Sequence, residues 1–251
     1  MLLEKLTQIS GVDGCKDGRW IAVIANPAAL DEAEGPKIFN NFAELVTELA
    51  PRSLIAIDIP IGLPEHSISG GREPDWLARA FLGPRRTSVF PVPSRRAVYA
   101  NAQGYAQVCA IARETSDPPR APSIFLYGIL PRIHEVDMIL RQDPALRGRV
   151  FEVHPEVSFQ VMNNNMPLLE PKKVNGVIHR PGMKIRKDLL AKAGFSLSFL
   201  DRRPLRGAEL DDFYDACACA WSAKRILLGK ARVFPCHPPV DEEGLEQAIR
   251  A

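Results

Sequence analysis

The chain lacks paired cysteines. Its five, Cys15, Cys109, Cys217, Cys219 and Cys236, are odd in number and none stands in a C-x-x-C spacing. Neither a disulfide framework nor a zinc motif is expected, and a reducing cytoplasm is the expected compartment. No apolar run approaches the roughly 18 residues that a membrane helix needs. The N-terminal MLLEKLTQIS has no charged segment followed by a long apolar one, so no signal peptide is expected either. A surplus of charge is also missing. With 32 basic and 30 acidic side chains the formal net charge is +2, which advertises neither a polyanion nor a membrane surface as partner.

What remains is an ordinary globular composition, 46% hydrophobic and 25% charged over 251 residues. That length supports one large domain or two small ones with a sizeable core. Proline is the exception. The chain has 22, well above the usual share of about 5%, and ten of them fall between Pro60 and Pro131.

Hydrophobic periodicity orders the first 60 residues as β-β-β-α-β. LTQISGVDG predicts a strand, an Asp17-Gly18 turn follows, and RWIAVIANP predicts its hairpin partner. GPKIFN reads as a short third strand. FAELVTELA, residues 42–50, has helical spacing at Phe42, Leu45, Val46 and Leu49. SLIAIDIP, residues 53–60, has the composition of a strand covered on both faces. A mixed sheet in an α/β domain is expected. Residues 61–131 read as a large proline- and arginine-rich insertion with short helices at WLARAF and QGYAQVCAIARE, because GPRRTSVFPVPSR and SDPPRAPS suit neither regular helix nor central strand. A helix at IHEVDMILRQ, a strand over residues 149–159 ended by Pro155, a helix around IRKDLLAKAG and a long helix ELDDFYDACACAWSAKRILLGK complete the chain.

Several carboxylates fall where solubility does not explain them. Asp13 ends the first strand between glycines. Asp58 interrupts an apolar run, and Glu152 lies inside VFEVHP. Asp211, Asp212 and Asp215 open the last helix. Charged groups are rarely buried unless paired or bound to a cation. Asp215 shares a helical face with Asp211 and with Asp212, a repulsive arrangement unless something neutralises it. Strand-end carboxylates meeting this helix would suit Mg2+ or Mn2+, hard ions that take oxygen ligands, and such a site can activate water against a phosphodiester. Each residue also has a plainer reading. Asp13 can be a turn residue and Asp58 a cap, Asp211 and Asp212 can answer the helix dipole, and Glu152 can be a satisfied carboxylate.

GVDGCKDGRW, AIDIPIGLP, GPRRTSVFPVPSR, FEVHPEVSF and DDFYDACACAW, in that order, resemble the bacterial and archaeal family labelled "domain of unknown function 429", described as predicted nucleases with an RNase-H-like fold. The resemblance runs from about residue 8 to 235. It implies one RNase-H-like domain over 1–251, a five-stranded mixed sheet of order 3-2-1-4-5 with helices on both sides, and the 61–131 insertion after the fourth strand. It implies catalytic and metal-binding roles for Asp13, Asp58, Asp212 and Asp215. Its E-x-H-P-E motif sets Glu152, a further catalytic candidate, and Glu156 near the next strand's end, with His154 between them.

The near-zero net charge averages over segregated segments. No acid lies between Trp76 and Arg113, a stretch carrying Arg79, Arg85, Arg86, Arg95, Arg96 and Arg113. Residues 171–192 hold seven basic side chains opposed only by Asp188. Arginine forks and hydroxyls suit phosphate, so Arg85, Arg86, Thr87, Ser88, Arg95, Lys172 and Lys173 are the expected substrate contacts. The function expected is metal-dependent hydrolysis of a nucleic-acid phosphodiester. The alternatives are a nucleotide-binding or phosphotransfer protein of the actin-like ATPase type and a non-catalytic nucleic-acid-binding protein. Substrate and oligomeric state are left open.

Overall fold

The computed structural model describes residues 6–251; Met1–Lys5, part of the segment read for a signal peptide, lie outside the described residues. The chain divides into two compact units. One comprises residues up to Asp58, 148–232 and 250–251; the other comprises 59–147 and 233–249. The segment expected as an insertion, 61–131, falls wholly inside the second unit, which continues through the helix Leu130–Gln142 and takes up a C-terminal stretch.

The first unit holds a five-stranded mixed sheet. Its strands are β1 (Gln8–Gly14), β2 (Trp20–Asn26), β3 (Ala29–Phe39), β4 (Ser53–Ile57) and β5 (Val150–Glu152), hydrogen-bonded in the order β3-β2-β1-β4-β5. Two two-residue strands of the other unit, Ser67–Ile68 and Ser116–Asp117, precede β5 in the chain. Strands β1 and β2 are antiparallel, with the turn at Asp17 and Gly18 (φ 59° and 76°). Strands β1, β4 and β5 are mutually parallel, with Val12, Ile57 and Glu152 in one register row. All five residues of β4 are buried, as its apolar run predicts. The third strand is longer than GPKIFN. Its first half, ALDEAE, is an edge strand rich in acids and bulged against β2, and charge on an edge hides the strand signal.

Both sheet faces are covered. Helix α1 (Phe42–Leu49) packs Phe42 against Trp20, ring centroids 6.0 Å apart. Its N-cap, Asn41, accepts from the Glu44 amide at 2.8 Å. On the opposite face Ile9, Ile21, Val23, Leu54 and Ala56 share a core with the last long helix. Helix α2 (Pro155–Met162) corrects the strand expected over 149–159. The strand stops at Glu152, and Pro155 opens a helix, where its missing amide hydrogen and fixed φ cost nothing. Helices α3 (Arg180–Lys192) and α4 (Leu210–Leu227) follow. A short hairpin, Lys173–Val174 with Val177–Ile178, precedes α3. It turns at Asn175-Gly176, both at positive φ, a pair that signals such hairpins.

The tightest packing is between β1 and α4. A Cβ on Gly11 would lie 2.0 Å from the Ala220 amide nitrogen and 2.1 Å from the Ala216 carbonyl oxygen. The helix face is built of Ala216, Cys217, Cys219, Ala220 and Ala223, all fully buried. These small side chains let backbone lie on backbone.

The second unit has its own apolar core, including Ala78, Leu82, Val98, Val108, Leu130, Ile133 and Val136. A buried ionic hub ties it together. Arg95 donates to Asp137 at 3.1 and 3.2 Å, to Asp241 at 2.6 Å and to Glu65 at 3.3 Å. Asp241 also accepts from the Leu63 and Leu245 amides, each at 2.9 Å.

Two stability outcomes follow from this packing. Gly11→Ala should lose about 3 kcal/mol or more, because overpacking here meets helix backbone that has no rotamer to yield; chemical denaturation measures it. Arg95→Met should cost about 3–5 kcal/mol by stranding two buried carboxylates, and limited proteolysis should then open the second unit first.

Candidate functional site

The carboxyl ends of parallel strands are where α/β sheets commonly place their chemistry. Asp13 sits at that end of β1 and Asp58 directly after β4. The Asp58 amide donates to the Val12 carbonyl at 2.9 Å, which holds the two strand ends level. Asp13 lies two residues beyond Gly11, on the same strand face, and that face is the one α4 covers. Across from it α4 presents Asp211 and Asp215, one turn apart, 2% and 1% exposed.

Charge coupling binds these groups together. Burial pushes the Asp13 carboxyl well above the ordinary value, and Asp58 and Asp215 push it further. Burial likewise raises Asp58, while His154 and Lys172 pull it down. Asp215 stands at about 6, raised by burial and held down by Lys172, with Asp58 and Glu156 adding to the rise. The sequence places Asp13, Asp58 and Asp215 far apart, and the fold brings them into one interacting set.

Asp212 has a different task. One of its carboxylate oxygens accepts from the Glu209 amide at 2.8 Å in a capping box that starts α4, and burial raises its pKa, with Asp211 adding to the rise. Asp212 also acts on Asp13, raising it, while Asp211, the residue before it, meets Lys172 and Lys173. Glu152 is not brought to the cluster. Its neighbours Phe151 and Val153 join the α4-side core, so strand alternation sets buried Glu152 on the other face of the sheet. The E-x-H-P-E segment contributes through His154 and Glu156 instead, both of which act on Asp58. Glu156 is itself paired with Arg186 at 2.6 Å.

Lys172 and Lys173, expected as substrate contacts, turn inward. The Lys172 ammonium bonds to Asp215 and lies 3.8 Å from Asp211. Burial pulls Lys172 down, but Asp215, Asp13 and Asp211 outweigh it and hold the ammonium above its ordinary range. Lys173 pairs with Asp211 at 2.8 Å and with Glu209 at 3.0 Å. Glu209 also takes Lys16 at 2.8 Å, and those two lysines hold its carboxyl at about 2. Arg85, Arg86, Thr87 and Ser88 form a short 3-10 turn of the second unit, with Arg86 and Thr87 exposed. Arg95 is committed to that unit's ionic hub.

Is this donor set suited to a metal? Among the described residues no three His, Cys, Asp or Glu side chains stand ready to hold one. The chemistry nonetheless fits a hard divalent cation. The available atoms are carboxylate oxygens, and Asp211 Oδ1 and Asp215 Oδ1 are buried without a hydrogen-bond partner. The lysine ammonium takes up the positive role in their midst.

The family described as "Protein of unknown function (DUF429)" matches residues 11–240. The chain belongs to this family. Its match spans every group of the cluster, from Asp13 to Asp215, and most of both units. Neither the curated proteins nor the solved structures give a match. No helix among the described residues is long and apolar enough to cross a membrane.

The raised Asp215 carboxyl sets a pH dependence. A folded-state value of about 6, above the usual Asp value near 4, means that the folded chain binds the proton more tightly than the unfolded one. The charged form therefore costs stability, and the cost grows as pH rises from about 4 to 6. In melting curves without added metal, the Tm of Asp215→Asn relative to the parent should rise across that window. A pH-independent difference would contradict the assignment.

Proposed function

We propose that this protein is a metal-dependent phosphodiester hydrolase, a nuclease acting on nucleic acid, built on an RNase-H-like sheet. The observation that carries the reading is the placement of Asp13 and Asp58 at the adjacent ends of β1 and β4, on the sheet face that α4 covers, with Asp13, Asp58 and Asp215 acting on one another's charge. Like charges in such a place are relieved by taking up protons or by a cation that joins them, and a divalent ion answers three carboxylates better than one lysine does. The strand order and the pairing of β1 with β4 support the RNase-H-like reading, which stands at the level of fold and does not by itself fix the chemistry.

In this reading Asp13, Asp58 and Asp215 hold Mg2+ or Mn2+, with Asp211 adjoining. A cation held by these carboxylates would supply Lewis acidity toward a phosphoryl oxygen and a water. Asp212 and Glu209 fix the start of α4, so the carboxylates are presented from a rigid element. Burial strengthens every charge interaction in the pocket. A second reading, a binding protein whose acids are neutralised from within, draws on one observation: Lys172 already stands against Asp215.

Incubation with Mn2+ or Mg2+ and a panel of single-stranded DNA, duplex DNA, RNA, a four-way junction and bis-p-nitrophenyl phosphate separates the two. Cleavage that needs the metal and drops to background in Asp13→Asn is expected. A panel untouched with either ion, or an Asp13→Asn protein as active as its parent, would sink the hydrolase reading in favour of the second.

A further inference from the structure

Lys172 is placed with unusual care for a lysine. The residue before it, Pro171, packs against the start of α3: a Cβ on Gly182 would lie 1.9 Å from the Pro171 carbonyl oxygen. Glu170 gives its carbonyl to the Arg186 guanidinium at 3.1 Å, and Arg186 is wholly buried against Glu156. On the other side the Lys172 carbonyl accepts from the His179 amide at 2.9 Å. The backbone is thus pinned from both flanks. The side chain is not: four methylenes separate the pinned Cα from the ammonium, which reaches Asp215 and lies 3.8 Å from Asp211.

The ammonium meets a surplus of acid. Asp13, Asp211 and Asp215 all stabilise its charge, and it acts in turn on Asp58 and Asp212. Even so, one oxygen each of Asp211 and Asp215 stays buried and unpartnered. Lys172 donates to Asp215 and Lys173 to Asp211, and lone pairs are still left over, as single charges on flexible stems leave them. A divalent ion would take the same oxygens with twice the charge. Both cations need Asp215, and they repel each other, so the two occupancies exclude one another.

We propose that Lys172 is a built-in counter-cation that occupies the carboxylate site in the metal-free protein and must leave Asp215 when a divalent ion enters. The proposal rests on the metal-dependent reading above and adds to it a competition that sets metal affinity. Its consequence is a protein that folds with its acids partly neutralised before metal arrives. Metal entry then frees a second cation beside the site, within reach of a phosphate.

Mn2+ binding, measured by calorimetry and by its paramagnetic resonance signal, tests this without reference to cleavage. Lys172→Met should bind Mn2+ at least about tenfold more tightly than the parent, and should melt lower without metal but not with it. Should Lys172→Met fail to fold, the parent protein itself supplies the measurement: amine labelling by reductive methylation, read by mass spectrometry. Lys172 should be protected without metal and become reactive as Mn2+ saturates, while exposed Lys184 stays constant. Unchanged affinity in Lys172→Met, or Lys172 labelling indifferent to bound Mn2+, overturns the competition and leaves the hydrolase reading intact. Absence of Mn2+ binding in both parent and variant overturns the two together.

Discussion

Everything in the first unit depends on how closely α4 lies on β1. Gly11 has no side chain, Ala216 and Ala220 have almost none, and the helix backbone rests on the strand. That contact sets the geometry of the acids. Asp13 follows Gly11 by one strand repeat, and Asp215 precedes Ala216 by one residue. When the two backbones touch, the two carboxylates are brought to the same place. A larger residue at position 11 would separate them as well as strain the core. Packing and site are therefore one constraint, and the small-residue helix ACACA serves both.

The cost of that arrangement is electrostatic. Buried carboxylates facing each other raise one another's pKa, and the fold answers with cations from a different part of the chain. Lys172 and Lys173 descend from a pinned segment ahead of α3. The neutralisation is partial, since buried oxygens of Asp211 and Asp215 are left over. The second unit solves a similar problem differently. Arg95 satisfies Asp137 and Asp241 with a planar fork whose five donors match several acceptors at once. A guanidinium closes a structural hub, whereas an ammonium on a flexible stem holds a place it can give up.

Much of the sheet was legible. The Asp17-Gly18 turn, the helix at 42–49 and the buried run of β4 each carry a local signal, and the structure follows them. The edge strand β3 was underestimated because its acids answer to solvent and not to a core. In the 149–159 segment the strand ends at Glu152, and Pro155, expected to end a strand, instead opens a helix. The Asn175-Gly176 turn carries a hairpin signature of its own, set inside a run of basic charge. Two lysines of that run, Lys172 and Lys173, face buried aspartates in the fold, a pairing that no local pattern announces.

The sequence by itself determined which residues are out of place in water: a lone Asp in an apolar strand, another between glycines, three acids on one helix turn. Solvation is a local property, and a charge among isoleucines declares itself without a structure. It also determined the family. What only the tertiary structure decided is which of these charges meet. Asp211 meets both lysines, Asp212 caps a helix and still acts on Asp13, and Glu152 falls on the far face because β5 alternates. Lys172 crosses to Asp215 from 43 positions away in the chain. Coulomb energy depends on distance in space, and that distance is fixed by a packing contact at Gly11 and Ala220 that no run of neighbouring residues spells out.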